Sequence, residues 1–265
     1  MSKTDSLAPL IERDGAPDVL AGDAHGWPTR ILDPVVFLPG MLGDACVFAD
    51  AVAAMPLDIV AIPGRIDLDA TITEMAVSVL AGAPERFALA GHSLGGIVAL
   101  EMLRLAPQRI TRVALLNTSA RPPNDVQLRF WRALSERTEA GEFEDVIAEQ
   151  SIVNLGDNAS ERLIQQWSVM ARRVGAHGFV RQLAAQVSRV DLAPYLAAVA
   201  VPALVLSGSA DNVCPSAVQA EIAAGVDGAR HVIIDGAGHM APLDHPAEVA
   251  RHLTVWNRPL NRVGS

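Results

Sequence analysis

Six short runs rich in Val, Ile and Leu recur along the chain, and most lead into sequence of helical period. They are VVFLP (35–39), LDIVAIPG (57–64), RFALAG (86–91), RVALLNTS (112–119), ALVLSGS (203–209) and HVIIDGAG (231–238). A strand with one wet face alternates apolar and polar residues. These runs are nearly continuous in apolar residues, as strands covered on both faces are. Helix-like stretches at Asp44–Met55, Ile72–Leu80, Leu94–Leu105, Ser216–Ala224 and Pro246–Val255 complete a βαβ alternation. The pattern predicts an α/β fold, a mostly parallel sheet with helices on both faces.

The alternation breaks once. Between Ser119 and Val201 there is no convincing strand, and the stretch is far longer than an ordinary loop. QLRFWRALSERTEAG and EFEDVIAEQS read as two helices divided at Gly141. Asn158 and Glu161 have capping-box spacing, with Leu163, Trp167, Met170 and Val174 following at helical intervals. We therefore expect a helical insertion over 121–195, set into a core formed by 1–120 and 196–265. The first thirty residues carry no clear pattern and read as a short leading strand or a loose arm.

Half of the 265 residues are apolar, 19% are charged, and the formal net charge is −9. That composition belongs to a globular chain, and its acidity argues against nucleic-acid binding, which needs a basic footprint. The apolar run Leu192–Leu206 is too short to span a bilayer and is interrupted by Pro194 and Pro202. The opening MSKTDSLAPLIERDG lacks the apolar centre of a signal peptide. A cytoplasmic protein without membrane contact is the expectation, as a monomer or a homodimer.

Neither a metal nor an organic cofactor is expected. Cys46 and Cys214 form no ligand spacing, read as small core residues, and the chain has no H-E-x-x-H. Gly236–Ala241 fits G-x-G-x-x-A, but Pro242 and Pro246 interrupt the helix that a dinucleotide loop must open.

One stretch bears directly on chemistry. In ALAGHSLGGIVALEML (88–103), Ser93 stands between a buried strand and a buried helix. The hydroxyl could simply cap the helix. It could also be the nucleophile of a G-x-S-x-G elbow, a strained turn that exposes the serine oxygen above a sheet. A serine nucleophile needs a base, and the base needs a carboxylate that holds its tautomer. Asp211 follows the strand ALVLSGS and His239 follows HVIIDGAG, giving the order Ser, Asp, His with each residue just past a strand. Asp211 could instead be a turn residue, with Asp235 as the rival acid.

With these motifs in hand, the chain resembles the α/β-hydrolase superfamily, in particular bacterial esterase-like members with a small helical cap. The matching segments are VVFLPGMLGD, FALAGHSLGGIVALEML, VPALVLSGSADNVCP and DGAGHMAPLDHPAEV, so the likeness runs from about Val35 to Trp256. It implies an α/β-hydrolase fold with 121–195 as cap. It implies Ser93 as nucleophile, Asp211 as acid and His239 as base. The oxyanion hole would use the backbone amides of Met41 and Leu94. Two departures stand out. Pro39-Gly40 replaces the His-Gly of many relatives, and Asp244 stands where many carry Glu. Some relatives place the acid after the preceding strand, where this chain has the amide Asn117.

The resemblance also implies acyl transfer on a small or medium carboxylic ester or lactone. Carbon–carbon bond hydrolysis, thioester hydrolysis or acyl transfer, and perhydrolysis use the same triad, and a receptor-type binding module is the non-enzymatic alternative. A serine at 93 excludes the aspartate-nucleophile chemistries of the superfamily. Phe130, Trp131, Trp167, Met170 and Phe179 are the large apolar side chains of the insertion, and Trp131, Trp167, Met170 and Phe179 are taken as candidate pocket walls. His92 is expected to point away from the Ser93 hydroxyl and serve structure.

Overall fold

The computed structural model describes residues 32–56 and 59–258; the leading arm suggested for the first thirty residues lies outside them. Six strands form one sheet among these residues: β1 (Val35–Leu38), β2 (Ala61–Pro63), β3 (Phe87–His92), β4 (Ile110–Leu116), β5 (Ala203–Gly208) and β6 (Arg230–Ile234). Their order is β2-β1-β3-β4-β5-β6 and every pair is parallel. All six coincide with the apolar runs.

Alternate residues of the central strands feed two separate cores. Val35, Phe37, Ala88, Ala90, Ala114, Leu116, Leu204 and Leu206 point to one face. Val36, Leu38, Phe87, Leu89, Val113, Leu115, Ala203 and Val205 point to the other. The first face is covered by α1 (Ala49–Ala53) and α9 (Pro246–Asn257), the second by α2 (Ile72–Gly82), α3 (Leu94–Leu105) and α7 (Ser216–Gly225). Burial on both sides explains why β1, β3 and β5 are buried at every position, whereas the edge strands β2 and β6 are only partly covered.

Between β4 and β5 lie α4 (Asp125–Glu139), α5 (Phe143–Leu155), α6 (Glu161–Val187) and a 3-10 turn, Ala193–Ala198. The expected helix pair divided at Gly141 is present, and the cap expected at Asn158 is shifted to Ser160. Asn124 and Gln127 form a reciprocal capping box at the start of α4. At α6 the cap is Ser160, whose hydroxyl accepts from the Leu163 amide, rather than Asn158. The reason is positional: the capping side chain must directly precede the first helical residue, here Glu161. Gly175, at φ 72° and ψ 166°, breaks α6 into two segments, a conformation open to glycine and strained for other residues.

The helix expected over Asp44–Met55 is shorter, a 3-10 turn at Ala45–Phe48 leading into α1. Asp44 accepts the Cys46 amide at 2.8 Å there, which favours the tighter turn. A four-residue helix, α8 (Ala241–Asp244), precedes α9. Among the described residues, no helix is long and apolar enough to cross a membrane.

Candidate active site

β3 ends at His92, α3 begins at Leu94, and Ser93 alone joins them at φ 51° and ψ −118°. Such a backbone is costly for a residue with a Cβ, and it persists only where its surroundings hold it. Here the Ser93 amide donates to the Leu116 carbonyl at 2.9 Å, and the Ser93 carbonyl accepts the Thr118 hydroxyl at 2.7 Å. The turn also needs α3 close to β1. A Cβ on Gly95 would stand 2.4 Å from the Leu38 and Pro39 carbonyl oxygens, so any side chain there would push the helix off the strand.

The three sequence-derived residues meet. His239 Nε2 lies 3.0 Å from Ser93 Oγ, and His239 Nδ1 lies 3.1 and 3.0 Å from the two Asp211 oxygens. Asp211 and His239 are both buried. The carboxylate requires Nδ1 to carry the imidazole proton, which leaves the Nε2 lone pair facing the Ser93 hydroxyl. Asp211 is itself held from several sides. Oδ1 accepts the Val213 and Cys214 amides at 2.9 and 2.8 Å, and Oδ2 accepts Asn117 Nδ2 at 2.9 Å. Burial alone would raise its pKa. The His239, Asn117 and Cys214 hydrogen bonds outweigh burial and hold the carboxyl below its ordinary value.

The rival acid stands elsewhere. Asp235 is exposed and accepts the Ser209 hydroxyl at 3.2 Å. Asn117 supports the acid rather than replacing it. His92 points away from the Ser93 hydroxyl: its Nε2–H donates to the His239 backbone carbonyl at 2.8 Å, and its ring packs 5.2 Å from the His239 ring. Burial, reinforced by the neighbouring imidazole, pushes the His92 pKa down to about 3. It is a neutral strut beneath the loop that carries His239. Asp244 steadies the same loop by accepting the Gly238 amide at 2.9 Å.

Among the described residues, three residues other than glycine have positive φ: Leu42, Ser93 and Asn117. Ser93 and Asn117 have just been placed; Leu42 follows Met41 in the turn after β1. The Leu42 amide donates to Gln182 Oε1 of α6 at 2.9 Å, and Gln182 Nε2 donates to the Ile66 carbonyl at 3.3 Å. Leu94 is the first residue of α3, so its amide has no intrahelical acceptor.

A cavity of about 370 Å³ opens over Ser93 and His239, with Met41, Ile97 and Thr118 in its floor. Of the four candidate wall residues, Trp131 lines it. Trp167, Met170 and Phe179 do not: all three are fully buried in the core on the first sheet face, where large apolar side chains bury most surface. The remaining walls include Phe130, Val213, Cys214, Gln150, Gln186 and Arg189. Burial pushes the Cys214 thiol up to about 12, so it is no nucleophile at neutral pH. A slightly larger cavity, about 420 Å³ between Cys46, Ile66 and Arg173, contains none of Ser93, Asp211 and His239. Among the described residues no group of three or more His, Cys, Asp or Glu side chains is placed to hold a metal ion.

Sequence reasoning missed Gln182 and Arg189. Gln182 left a signal, a polar side chain between the buried Phe179 and Leu183. Arg189 left none, because it lies just past the end of α6 in the SRVD turn.

Fold and site together define a class, and comparison with known proteins gives it a family. The sequence profile of the alpha/beta hydrolase family matches residues 19–252, and the chain belongs to that family. Among curated proteins it is similar to the pimeloyl-[acyl-carrier protein] methyl ester esterase of Edwardsiella ictaluri (strain 93-146). The two are 28% identical over 191 residues, 68% of this chain and 72% of that protein. Among solved structures it is similar to a thermophilic esterase from Thermogutta terrifontis, with TM-score 0.77, 23% identity, and coverage of 84% of this chain and 89% of that one. It is also similar to the enol-lactonase of Burkholderia xenovorans LB400, with TM-score 0.74, 22% identity, and coverage of 89% and 93%. At these identities the structural likeness speaks to the fold.

Proposed function

We propose that this hydrolase cleaves small or medium carboxylic esters through an acyl-enzyme on Ser93. The observation that carries the reading is the continuous chain Ser93 Oγ to His239 Nε2 at 3.0 Å and His239 Nδ1 to Asp211 at 3.0 Å. His239 Nε2 takes the Ser93 proton as Oγ attacks the ester carbonyl carbon. The carbonyl π pair moves to oxygen, and the amides of Met41 and Leu94 hold the oxyanion. One such donor typically stabilises the transition state by about 3 kcal/mol. Collapse breaks the bond to the alkoxy oxygen, and His239 returns its proton to the leaving alcohol. Water, deprotonated by His239, then attacks the acyl carbon and releases the acid, leaving Ser93 protonated again.

Residues 121–195 form the cap in this reading, since they separate β4 from β5 and supply Phe130, Trp131 and Gln186 to the cavity wall. The volume of about 370 Å³ favours substrates of modest size over long lipids. The methyl ester esterase named among the relatives agrees with such chemistry. Turnover of a simple aryl acetate tests it. Wild-type protein should release the phenol with a burst, and Ser93→Ala should not. Equal turnover by Ser93→Ala would refute it.

A further inference from the structure

Arg189 is a cation without a counter-ion in the wall of the Ser93 cavity. Four other arginines of the insertion are ion-paired: Arg121 with Glu221, Arg137 with Glu142 and Glu149, Arg172 with Glu144, and Arg173 with Asp44. Arg189 is half-buried, and no carboxylate stands within ion-pair distance among the described residues. It spends one Nη1 proton on Gln186 Oε1 at 3.2 Å and one Nη2 proton on the Arg121 carbonyl. Its Nε–H is buried with no acceptor at all.

A guanidinium has five N–H donors, so two Nη protons stay uncommitted. Burial draws its pKa below the ordinary arginine value, the sign of a cation that its surroundings do not compensate. Removing a charge from water without a partner is unfavourable, and a ligand anion is the component that would reverse it.

The cavity itself points the same way. The chain carries a formal net charge of −9, yet among the described residues no Asp or Glu lines this cavity. Apart from Arg189 itself and Arg121, which is paired with Glu221, its polar wall is made of uncharged groups, Asn124, Gln127, Gln150 and Asn154 among them. Arg189 is also held in place: its Cζ sits 5.9 Å from the Trp131 ring, whose face attracts the guanidinium. A fixed, uncompensated, planar cation facing a pocket without acids is suited to a carboxylate, which matches the guanidinium fork in shape and charge.

We infer that Arg189 is a specificity-determining residue and that the ester cleaved at Ser93 carries a free carboxylate, as a half-ester of a dicarboxylic acid does. The inference rests on the hydrolase reading above and deepens it, so its test must separate the two. Matched substrates do so. Monomethyl glutarate and methyl 5-methylhexanoate differ in a carboxylate against an isosteric isopropyl group on the acyl side. Acetoxyacetate and isobutyl acetate make the same comparison on the alcohol side. Hydrolysis is followed by proton release.

In at least one pair the wild type should prefer the anionic ester by tenfold or more in kcat/KM. Arg189→Met should erase that preference, mainly through KM, and Arg189→Lys should keep part of it. Glutarate itself, titrated calorimetrically, should bind the wild type with a Kd at least tenfold lower than Arg189→Met. Hydrolysis of the neutral esters with no anionic preference in either pair would overturn the inference and leave the hydrolase reading intact. So would a preference that survives Arg189→Met. Should no ester turn over at all, the hydrolase reading fails, and the glutarate titration alone decides whether Arg189 holds a carboxylate. If Arg189→Met does not fold, Arg189→Gln replaces it in every comparison.

Discussion

Gln182 Oε1 accepts the backbone amide of Leu42 at 2.9 Å, across 140 residues of sequence. The bond joins α6, inside the inserted helices, to the turn after β1, where Leu42 is held at φ 58° beside Met41. Both partners are fully buried. In the proposed reaction Met41 donates one of the two oxyanion hydrogen bonds, so the insertion does more than roof the cavity. On that proposal, α6 also holds the strained turn that would present the donor.

Gln182→Leu should therefore lower kcat about tenfold while changing KM little. It leaves the Leu42 amide buried without an acceptor, a loss of about 1–3 kcal/mol in stability. Thermal unfolding and steady-state kinetics on one ester report both effects. A variant destabilised in this range that keeps full kcat would show that the bond supports the fold and not the reaction.

The carboxylates Asp211 and Asp235 offer a clean contrast. Asp211 bonds His239 from beneath, whereas Asp235 is exposed and bonded to Ser209. In the serine-protease triad, Asn in place of the acid lowers kcat about 10⁴-fold by favouring the wrong tautomer. A loss of comparable order is expected for Asp211→Asn and none beyond twofold for Asp235→Asn. The reverse outcome would transfer the role to Asp235.

His92 makes a prediction about acid stability. Its pKa is about 3 in the fold against an ordinary value of 6.5, so the native state keeps it neutral. Between those two values the unfolded chain binds a proton that the native chain does not, and stability falls as pH falls. From pH 7 to pH 5 the loss from this one group is about 2 kcal/mol. His231 and His252, also lowered by burial, add loss of the same sign. Asp211, held below its ordinary 3.8, adds loss only at lower pH. Denaturant unfolding at the two pH values should show a smaller difference for His92→Gln, which keeps a donor for the His239 carbonyl. An unchanged difference would mean that His92 does not govern the acid limb.

Two tryptophans of the insertion should separate packing from recognition. Trp131 borders the cavity and Trp167 is fully buried away from it. Trp131→Ala should shift preference along an ester chain-length series severalfold. Trp167→Ala should cost about 3–5 kcal/mol of stability and leave the order of preference unchanged. Should Trp167→Ala reorder the series and Trp131→Ala not, the cavity assignment is mistaken.

The contrast between what the sequence reveals and what it hides is visible in these residues. The strands are legible because both faces of the sheet's centre are covered, so each carries a nearly continuous apolar run, even where the edge strands β2 and β6 are only partly buried. Ser93, Asp211 and His239 are legible because a parallel sheet brings all its strand ends to one edge. A reactive residue just past a buried strand therefore declares its own position. The insertion obeys no such rule. Trp167, Met170 and Trp131 have the same hydrophobic character in sequence, and only the packing of α4 against α6 decides which one meets the cavity. Gly175 adds to the difficulty, since the break at φ 72° interrupts the helical phase between Met170 and Phe179. Gln182 and Arg189 act through partners more than a hundred and about sixty residues away respectively, at Leu42 and Trp131. Spacing along one helix does not encode either contact.

Covalent labelling decides whether Ser93 is the nucleophile, activated through His239 by Asp211. A fluorophosphonate probe tests it most directly, read by intact mass and peptide mapping. The wild type should give a single adduct on the peptide containing Ser93, Ser93→Ala none, and His239→Ala labelling slowed by orders of magnitude. Stoichiometric labelling of Ser93→Ala at the wild-type rate, or an adduct mapped to another residue of the wild type, would contradict it.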